Sequence, residues 1–348
     1  MRHDHRIHAN PTRSRHRPLP PLSLVHPNDS TRPVSPAVPH YSLLTTLYSL
    51  HLSWTMPRGY RRTRKPEHSI TRRAFLAGAS AAGLGVATYA ATHARHEVEI
   101  THRTFPIRDL PDGFLNYRIV QISDIHLEEF TEAFFLERIV AQVNALNPDL
   151  VLITGDYVSR GPAAITVAYQ AAGICAEILS TIKAQRFGIL GNHDVVVGAS
   201  HVIPPLEAHG TPILVDSYYA LERGRDLLWL CGTDDAGTNI PDLSVTIPTT
   251  PKAPVILMCH EPDYADRVVQ HPRFPLIDVM LSGHSHGGQI RLPFIGPLIL
   301  PPMGQKYIEG LFQFGHMQLY VNRGVGTVGL PFRLNCPAEI THITLVRA

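Results

Sequence analysis

Tyr117-Arg-Ile-Val-Gln-Ile-Ser-Asp-Ile-His126 and Asp149-Leu-Val-Leu-Ile-Thr-Gly-Asp156 decide the fold. Each is a short apolar run, rich in β-branched residues, that stops at an acidic or imidazole side chain. Runs without polar alternation suit strands buried on both faces. Between them, from Phe134 to Leu146, apolar residues recur at helical spacing. A strand, a helix and a second strand therefore open an α/β domain.

The same text recurs further along. A second helix is expected over 163–182. Phe187 to Leu190 ends in Gly191-Asn-His-Asp194, Val255 to Met258 runs into Cys259-His260-Glu261-Pro262, and Ile277 to Leu281 runs into Ser282-Gly-His-Ser-His-Gly-Gly-Gln289. Upstream, Glu97 to Phe105 alternates as a half-buried strand does. Ligands of open α/β sheets bind just beyond the carboxyl ends of the strands, where loops converge. Five polar clusters at one sheet edge would bring Asp124, His126, Asp156, Asn192, His260, His284 and His286 together.

Imidazoles mixed with carboxylates suit first-row ions such as Mn, Fe or Zn, whereas an all-oxygen set suits Mg or Ca. Asp-x-His places alternate residues on the same side of an extended strand end. A carboxylate such as Asp156 can bridge two ions about 3.5–4 Å apart. Read alone, Asp-x-His is an ordinary turn, Gly-Asp is a common turn pair, and Gly-Asn-His-Asp is a turn with a helix cap. Gly-His-Ser-His serves little packing purpose. The conjunction, each cluster after a strand, points to two divalent metal ions.

These blocks resemble the calcineurin-like metallophosphoesterase superfamily, from about residue 117 to the C-terminus. The resemblance implies a four-layer α/β/β/α sandwich, with Asp124, His126, Asp156 and His286 on one metal and Asp156, Asn192, His260 and His284 on the other. Asn322-Arg-Gly-Val-Gly-Thr327, Pro331-Phe-Arg333, Pro337-Ala-Glu-Ile340 and the His-Ser-His-Gly-Gly-Gln289 block look like a bacterial branch of exported or membrane-associated phosphodiesterases. Some of its members cleave the pyrophosphate of UDP-2,3-diacylglucosamine, a lipid A precursor. In Gly155-Asp-Tyr-Val-Ser-Arg-Gly161, Ser159 replaces the aspartate that orients the catalytic histidine of phosphoprotein phosphatases. That orienting role falls to another group, for which Asp194 is the candidate, or goes unfilled. Protein phosphatase activity is disfavoured.

The expected chemistry is metal-activated water attacking a phosphoryl centre in line. His193, one residue beyond Asn192, is the candidate catalytic histidine, donating to the phosphate and protonating the leaving oxygen. Arg160, Arg323 and Arg333 are candidates for phosphate recognition through their guanidinium forks, Arg160 first because it lies nearest a ligand. Leu292 to Met303, apolar and proline-rich, reads either as a lipid-facing lip beside the site or as a buried connection between strands.

The first hundred residues read differently. Eight prolines between Pro11 and Pro39 argue against regular structure over 1–55, and Met56 is a more sensible start. A basic run from Arg58 to Lys65 leads into Thr71-Arg72-Arg73-Ala74-Phe75-Leu76 and an Ala/Gly-rich apolar stretch. Segment 56–96 thus reads as a twin-arginine export signal or an uncleaved anchor, with a stable membrane span the weaker reading because the stretch is only mildly apolar. Residues 97–348 form the catalytic domain. The expected setting is the outer face of a bacterial cytoplasmic membrane, with the twin-arginine machinery and a phosphate ester or pyrophosphate substrate, lipid-linked in one version, as partners.

A formal charge of +2 gives no global field that selects nucleic acid, and no basic stripe interleaved with aromatics runs through the body, so no nucleic-acid partner is expected. Cys175, Cys231, Cys259 and Cys336 lack C-x-x-C spacing and read as buried thiols. An amidohydrolase would carry His-x-His early, where Asp-x-His stands. A catalytically idle envelope protein on the same scaffold would have lost a ligand, and none is missing.

Overall fold

The computed structural model describes residues 71–161 and 163–348. The proline-rich segment 1–55, Met56 and the basic run to Lys65 lie outside the described residues.

A long helix, α1 (Arg72–Thr92), opens the described chain; the Thr71 hydroxyl accepts from the Ala74 N–H at its start. The strands are β1 (Val98–Ile107), β2 (Arg118–Ile122), β3 (Leu150–Ile153), β4 (Gln185–Gly188), β5 (Ser217–Arg223), β6 (Asp226–Gly232), β7 (Val255–Met258) and β8 (Val279–Ser282). A two-stranded hairpin follows, β9 (Arg291–Leu292) and β10 (Gly296–Pro297), then β11 (Gly310–Phe314), β12 (Met317–Val321) and β13 (Ala338–Arg347). Six further helices are α2 (Ala133–Ala145), α3 (Ile165–Ser180), α4 (Asn192–Val197), α5 (Ala199–Ala208), α6 (Leu243–Thr246) and α7 (Ala265–Val268).

Two sheets carry the molecule. One has the order β1-β13-β2-β3-β4, the other β11-β12-β8-β7-β6-β5. β2, β3 and β4 run parallel, as do β6, β7, β8 and β12. β13 returns antiparallel to β2 and pairs with β1 in parallel, so chain segments from opposite ends close the first sheet.

The pleat sorts the side chains into layers. Alternate residues of a strand face opposite sides. Val120, Ile122, Val151 and Ile153 meet Phe135, Leu136, Ile139 and Val143 of α2 and Ala171, Ala172 and Cys175 of α3. Their neighbours Ile119, Leu150 and Leu152 turn the other way, onto Leu228, Leu230, Ile256, Met258, Val279 and Leu281 of the second sheet. Beyond that sheet, Val255, Leu257, Met280 and Leu319 pack on Leu243, Ala265 and Val268. The result is the expected α/β/β/α order. Each central strand is buried on both faces, which is why its sequence is a continuous apolar run. All four cysteines are buried free thiols.

One expectation changes. The polar clusters belong to two facing sheets, β2, β3 and β4 on one and β7 and β8 on the other, rather than to one sheet edge. The stretch from Arg72 to His96 is one apolar helical segment, largely exposed, long and apolar enough to cross a membrane, a property that an export signal and an anchor share. The low side-chain apolarity of Ala and Gly is offset by the length of the run and by the absence of Asp, Glu, Lys or Arg between Arg73 and Arg95.

Candidate active site

The strand ends bend sharply to deliver their side chains. Asp124 (φ +53°), His126 (φ +49°), Asp156 (φ +58°), His284 (φ +70°) and His286 (φ +52°) all occupy the left-handed region. Non-glycine residues there cost on the order of 1–3 kcal/mol each, and such strain gathers at functional sites. Asp124 and His126 face one another's partners through this turn, and not through the pleat of an extended strand as the Asp-x-His spacing suggested. Close approach also fixes the glycines before them. A Cβ on Gly155 would sit 2.7 Å from His260 Nδ1, and one on Gly283 would sit 2.4 Å from Asp124 Oδ2.

The side chains converge in two adjoining groups, Asp124, His126 and His286, and Asp156, His260 and His284. His126 Nε2 lies 3.0 Å from His286 Nε2 and 3.5 Å from Asp156 Oδ2. His286 Nε2 lies 3.5 Å from Asp124 Oδ1, and His260 Nε2 lies 3.2 Å from Asp156 Oδ2. Asp156 Oδ2 therefore stands between the groups. Asn192, whose Oδ1 is buried without a hydrogen-bond partner, lines the same cavity as Asp156 and His284.

The far edge of each ring is held. Nδ1 of His260 donates to the Thr154 carbonyl at 2.6 Å, and Nε2 of His284 donates to the Pro302 carbonyl at 2.7 Å. Nδ1 of His126 meets the Ser159 hydroxyl at 2.5 Å. These contacts aim the opposite nitrogens at the centre, as outer-shell partners of metal-bound histidines do. Asp124 accepts the His284 N–H at 3.0 Å, and Asp156 accepts the His193 N–H at 2.9 Å, so each carboxylate is also tethered.

Burial sets the protonation. It pushes His126 down to about 3 and His284 down to about 4, and holds His286 well below the usual imidazole range. Neutral imidazoles are the form that binds metal. Burial, with the neighbouring Asp156 adding to it, raises Asp124 to about 6. Burial alone would raise Asp156 too, but His260 and His126 outweigh it and hold that carboxyl well below the usual range. Burial disfavours charge on His260, yet Asp156 and Asp124 prevail and hold it well above an ordinary imidazole.

A divalent cation fits each group. Asn192 Oδ1 is buried with no hydrogen-bond partner, and His126 Nε2, whose ring carries its hydrogen on Nδ1, stands 3.5 Å from Asp156 Oδ2. Nitrogens with lone pairs and carboxylate oxygens aimed at a common point repel one another unless a cation sits between them.

The other residues singled out above divide. His193 lines the cavity, and its Nδ1 lies 3.0 Å from the Ser159 hydroxyl. Asp194 does not orient it. Both Asp194 oxygens accept main-chain N–H groups, from Asp156 at 2.8 Å, Tyr157 at 2.9 Å, Val158 at 3.2 Å and Gly191 at 3.0 Å, and so pin the Gly155–Asp156 turn to the start of α4. Arg333 is fully buried and donates to the carbonyls of Arg323, Gly324, Gly326 and Cys336. With those donors spent on the backbone, it braces the glycine turn and has no fork left for phosphate. Arg323 pairs with Glu99 and Glu339. Arg160 is exposed, beside Ser159 in a neighbouring groove, and stays free of ion pairs among the described residues.

Sequence reasoning passed over Ser159 as a contact and over Glu129, whose carboxylate falls within reach of His126 and His193. Gln289, read above only as the end of the His-Ser-His block, ties Val328 and Leu330 into the cavity wall through its amide. The signal for Ser159 was its place three residues after Asp156. Glu129 carries no local signature.

A cavity of about 490 Å³ opens over Asp156, Asn192, His193, His284 and His286, and its other wall is apolar, with Ile290, Leu298, Ile299 and Leu330. The segment Leu292–Met303 is thus not a buried connection: Phe294, Ile295, Leu298 and Ile299 are exposed.

Two facing sheets with acidic and imidazole side chains at their carboxyl ends define a metal-dependent phosphoesterase. The chain belongs to the calcineurin-like phosphoesterase family, which matches residues 117–288. It is 35% identical over 277 residues to a metallophosphoesterase named YkuE from Bacillus subtilis, covering 78% of this chain and 93% of that one. It is 31% identical to phosphodiesterase YaeI of Escherichia coli, covering 80% of this chain and all of the relative. It is 28% identical to UDP-2,3-diacylglucosamine pyrophosphatase LpxG of Chlamydia muridarum, covering 60% and 78%. The protein is accordingly a hydrolase of phosphoric ester bonds.

Proposed function

We propose that the chain is a two-metal phosphodiesterase or pyrophosphohydrolase, exported by the twin-arginine route, held at the outer face of the cytoplasmic membrane by α1, and acting on a lipid-linked substrate. The observation that carries the catalytic part is the convergence of imidazole nitrogens on Asp156 Oδ2, with the buried, unpartnered Asn192 Oδ1 in the same cavity. In this reading Asp124, His126, Asp156 and His286 hold one ion, and Asp156, Asn192, His260 and His284 hold the other. Bound there, two divalent cations of the Mn, Fe or Zn type would lower the pKa of a water between them and neutralise charge on the phosphoryl oxygens.

The protein's own residues supply direction. His126, with Nε2 turned to the centre, carries its hydrogen on Nδ1 and donates it to Ser159 Oγ. Ser159, already an acceptor there, gives its hydroxyl hydrogen to His193 Nδ1. His193 in its neutral form must then carry its proton on Nε2, the ring edge away from Ser159. That N–H is available to the phosphate and then to the leaving oxygen. Arg160 is left as the arginine for a phosphate or a second anionic group at the rim.

The lipid-linked part rests on the apolar cavity wall beside the polar one and draws on the relatives named as a phosphodiesterase and a diacylglucosamine pyrophosphatase. The test is turnover of bis-p-nitrophenyl phosphate against p-nitrophenyl phosphate after reconstitution with Mn, Fe, Zn or Mg. Metal-dependent diester cleavage that disappears in Asp156→Asn is expected, with loss of about one bound ion per chain. Folded protein that takes up no metal would sink the reading, and an inert protein holding two ions would favour the idle-scaffold alternative.

A further inference from the structure

Phe294 sits at the tip of the β9–β10 hairpin at φ +67°, fully exposed. A bulky aromatic in the left-handed region, touching water on all sides, is strained and unsupported by its own molecule. Ile299 (74% exposed), Ile295 (71%), Leu298 and Leu330 extend the same apolar surface. From Leu292 to Met303 no side chain is charged or can form a hydrogen bond through nitrogen or oxygen. Protein-binding surfaces carry polar groups at their rim that fix a partner's orientation; this surface offers only apolar contact. Leu298, Ile299 and Leu330 also line the cavity, so the surface and the cavity mouth are continuous.

The hairpin is joined to α1 through one strip of chain. Its base is tied to the segment Val328–Leu334 by Leu334 N–H to Gln289 O, Arg291 N–H to Leu334 O and the Gln289 amide. The same segment receives α1, with the Arg333 N–H donating to the Ala90 carbonyl at 3.2 Å. Past Ala90, the Arg95 and His96 side chains bind Glu132 at the head of α2, which fixes the end of α1 on the catalytic body. The anchor and the apolar tip therefore hold a fixed relation, both tied to one wall of the cavity.

We propose that the hairpin tip, Phe294 and Ile295 with Leu298, Ile299 and Leu330, inserts into the bilayer that holds α1 and seats the cavity mouth on the lipid surface. This rests on the reading of α1 as an anchor. A substrate then passes its phosphate to the metal centre without leaving the membrane, its apolar part running along Leu298, Ile299 and Leu330. The tip itself carries no basic residue, and Arg291 at its base is paired with Glu309, so insertion is expected into zwitterionic lipid as readily as into anionic lipid.

The full chain carrying Phe294→Trp, reconstituted in phosphatidylcholine vesicles with and without doxyl-labelled lipid, reads the contact directly, with the parent's emission subtracted. Expected are a blue-shifted emission and at least twofold quenching by lipid labelled near the headgroup or upper acyl chain. Tyr219→Trp, on the edge strand β5, should be unquenched. Phe294→Glu with Ile295→Glu should lower turnover of a vesicle-embedded lipid pyrophosphate at least tenfold. The same variant should leave bis-p-nitrophenyl phosphate turnover within twofold, which separates this surface from the metal centre. Vesicle-bound Phe294→Trp protein whose introduced indole is unquenched overturns the proposal while leaving the anchor intact. Failure to float with vesicles overturns both. A blue shift without quenching, accompanied by dimers in detergent, assigns the tip to a second copy and overturns bilayer insertion.

Discussion

Removing one oxygen atom at Ser159 should disable two histidines at once. Ser159 is buried, and its Oγ sits between Nδ1 of His126 and Nδ1 of His193. Ser159→Ala leaves the His126 Nδ1–H buried without an acceptor, a cost of about 1–3 kcal/mol. It also loses the bond that selects the His193 tautomer, worth about 0.5–1.5 kcal/mol. The first loss falls on metal binding, since a ligand whose far nitrogen is unsupported turns more freely; outer-shell losses of this kind weaken affinity by about 10–100-fold. The second falls on turnover at saturating metal, expected to drop by about 10–100-fold, or roughly 1.4–2.7 kcal/mol of barrier. Calorimetric titration with Mn and kcat on bis-p-nitrophenyl phosphate read the two separately. Long-range ¹H–¹⁵N correlation of the His193 ring in the metal-free protein reads the tautomer, which a purely structural role would not move. Ser159→Thr, keeping the hydroxyl, should recover most of both losses. An alanine variant within twofold of the parent in Mn affinity and kcat would refute the relay.

Two further outcomes follow from the buried charges. Asp194→Asn presents an amide group to main-chain N–H donors that now point at a carboxylate, leaving two of them without an acceptor; a loss of about 3 kcal/mol in urea unfolding is expected. Unchanged stability would mean that Asp194 does not brace the turn. Two of the buried imidazoles should also weaken the metal-free protein on acidification. His126 and His284 have folded values of about 3 and about 4, depressed below the ordinary 6.5, so the unfolded chain takes up protons that the native state refuses. Their contribution is whole above pH 6.5 and is lost as pH falls, by about 2 kcal/mol each at pH 5. Asp124, raised to about 6, works the other way and returns about 1 kcal/mol over the same interval, and Asp194, Glu261 and His260, held above their usual ranges, add to that return. Urea midpoints at pH 7, 6 and 5 for the parent and for His126→Gln and His284→Gln check the sign: each variant should lose less stability toward pH 5 than the parent, and an equal or greater loss would contradict it.

How far the sequence reaches is set by the range of each physical signal. The central strands are legible because burial on both faces leaves a local record, an unbroken apolar run such as Leu150–Ile153 or Val255–Met258. The edge elements leave a weaker one. β5 and β11 are half exposed and alternate loosely, and α5 carries Pro204 and Pro205, which in isolation read as a break. β13 finds β1 across more than two hundred residues, a pairing no short window contains. Backbone handedness at Asp124 and His126 is also silent, because Asp and His are compatible with both an extended end and a left-handed turn.

The arginines show the limit most directly. Arg160 precedes Gly161 and Arg333 follows Leu330-Pro-Phe332, and neither neighbourhood says which guanidinium is free for a ligand. Only the folded chain shows that Arg333 spends its donors on four carbonyls while Arg160 stays exposed beside the site. Convergence of ligands could be read because each of the five clusters ends its own buried strand. The partners that hold those ligands in register, Ser159, Thr154 O and Pro302 O, act through a hydroxyl or a carbonyl that any sequence supplies in abundance. What a site binds is therefore written in residue types, and how firmly it is aimed is written in contacts that only the fold creates.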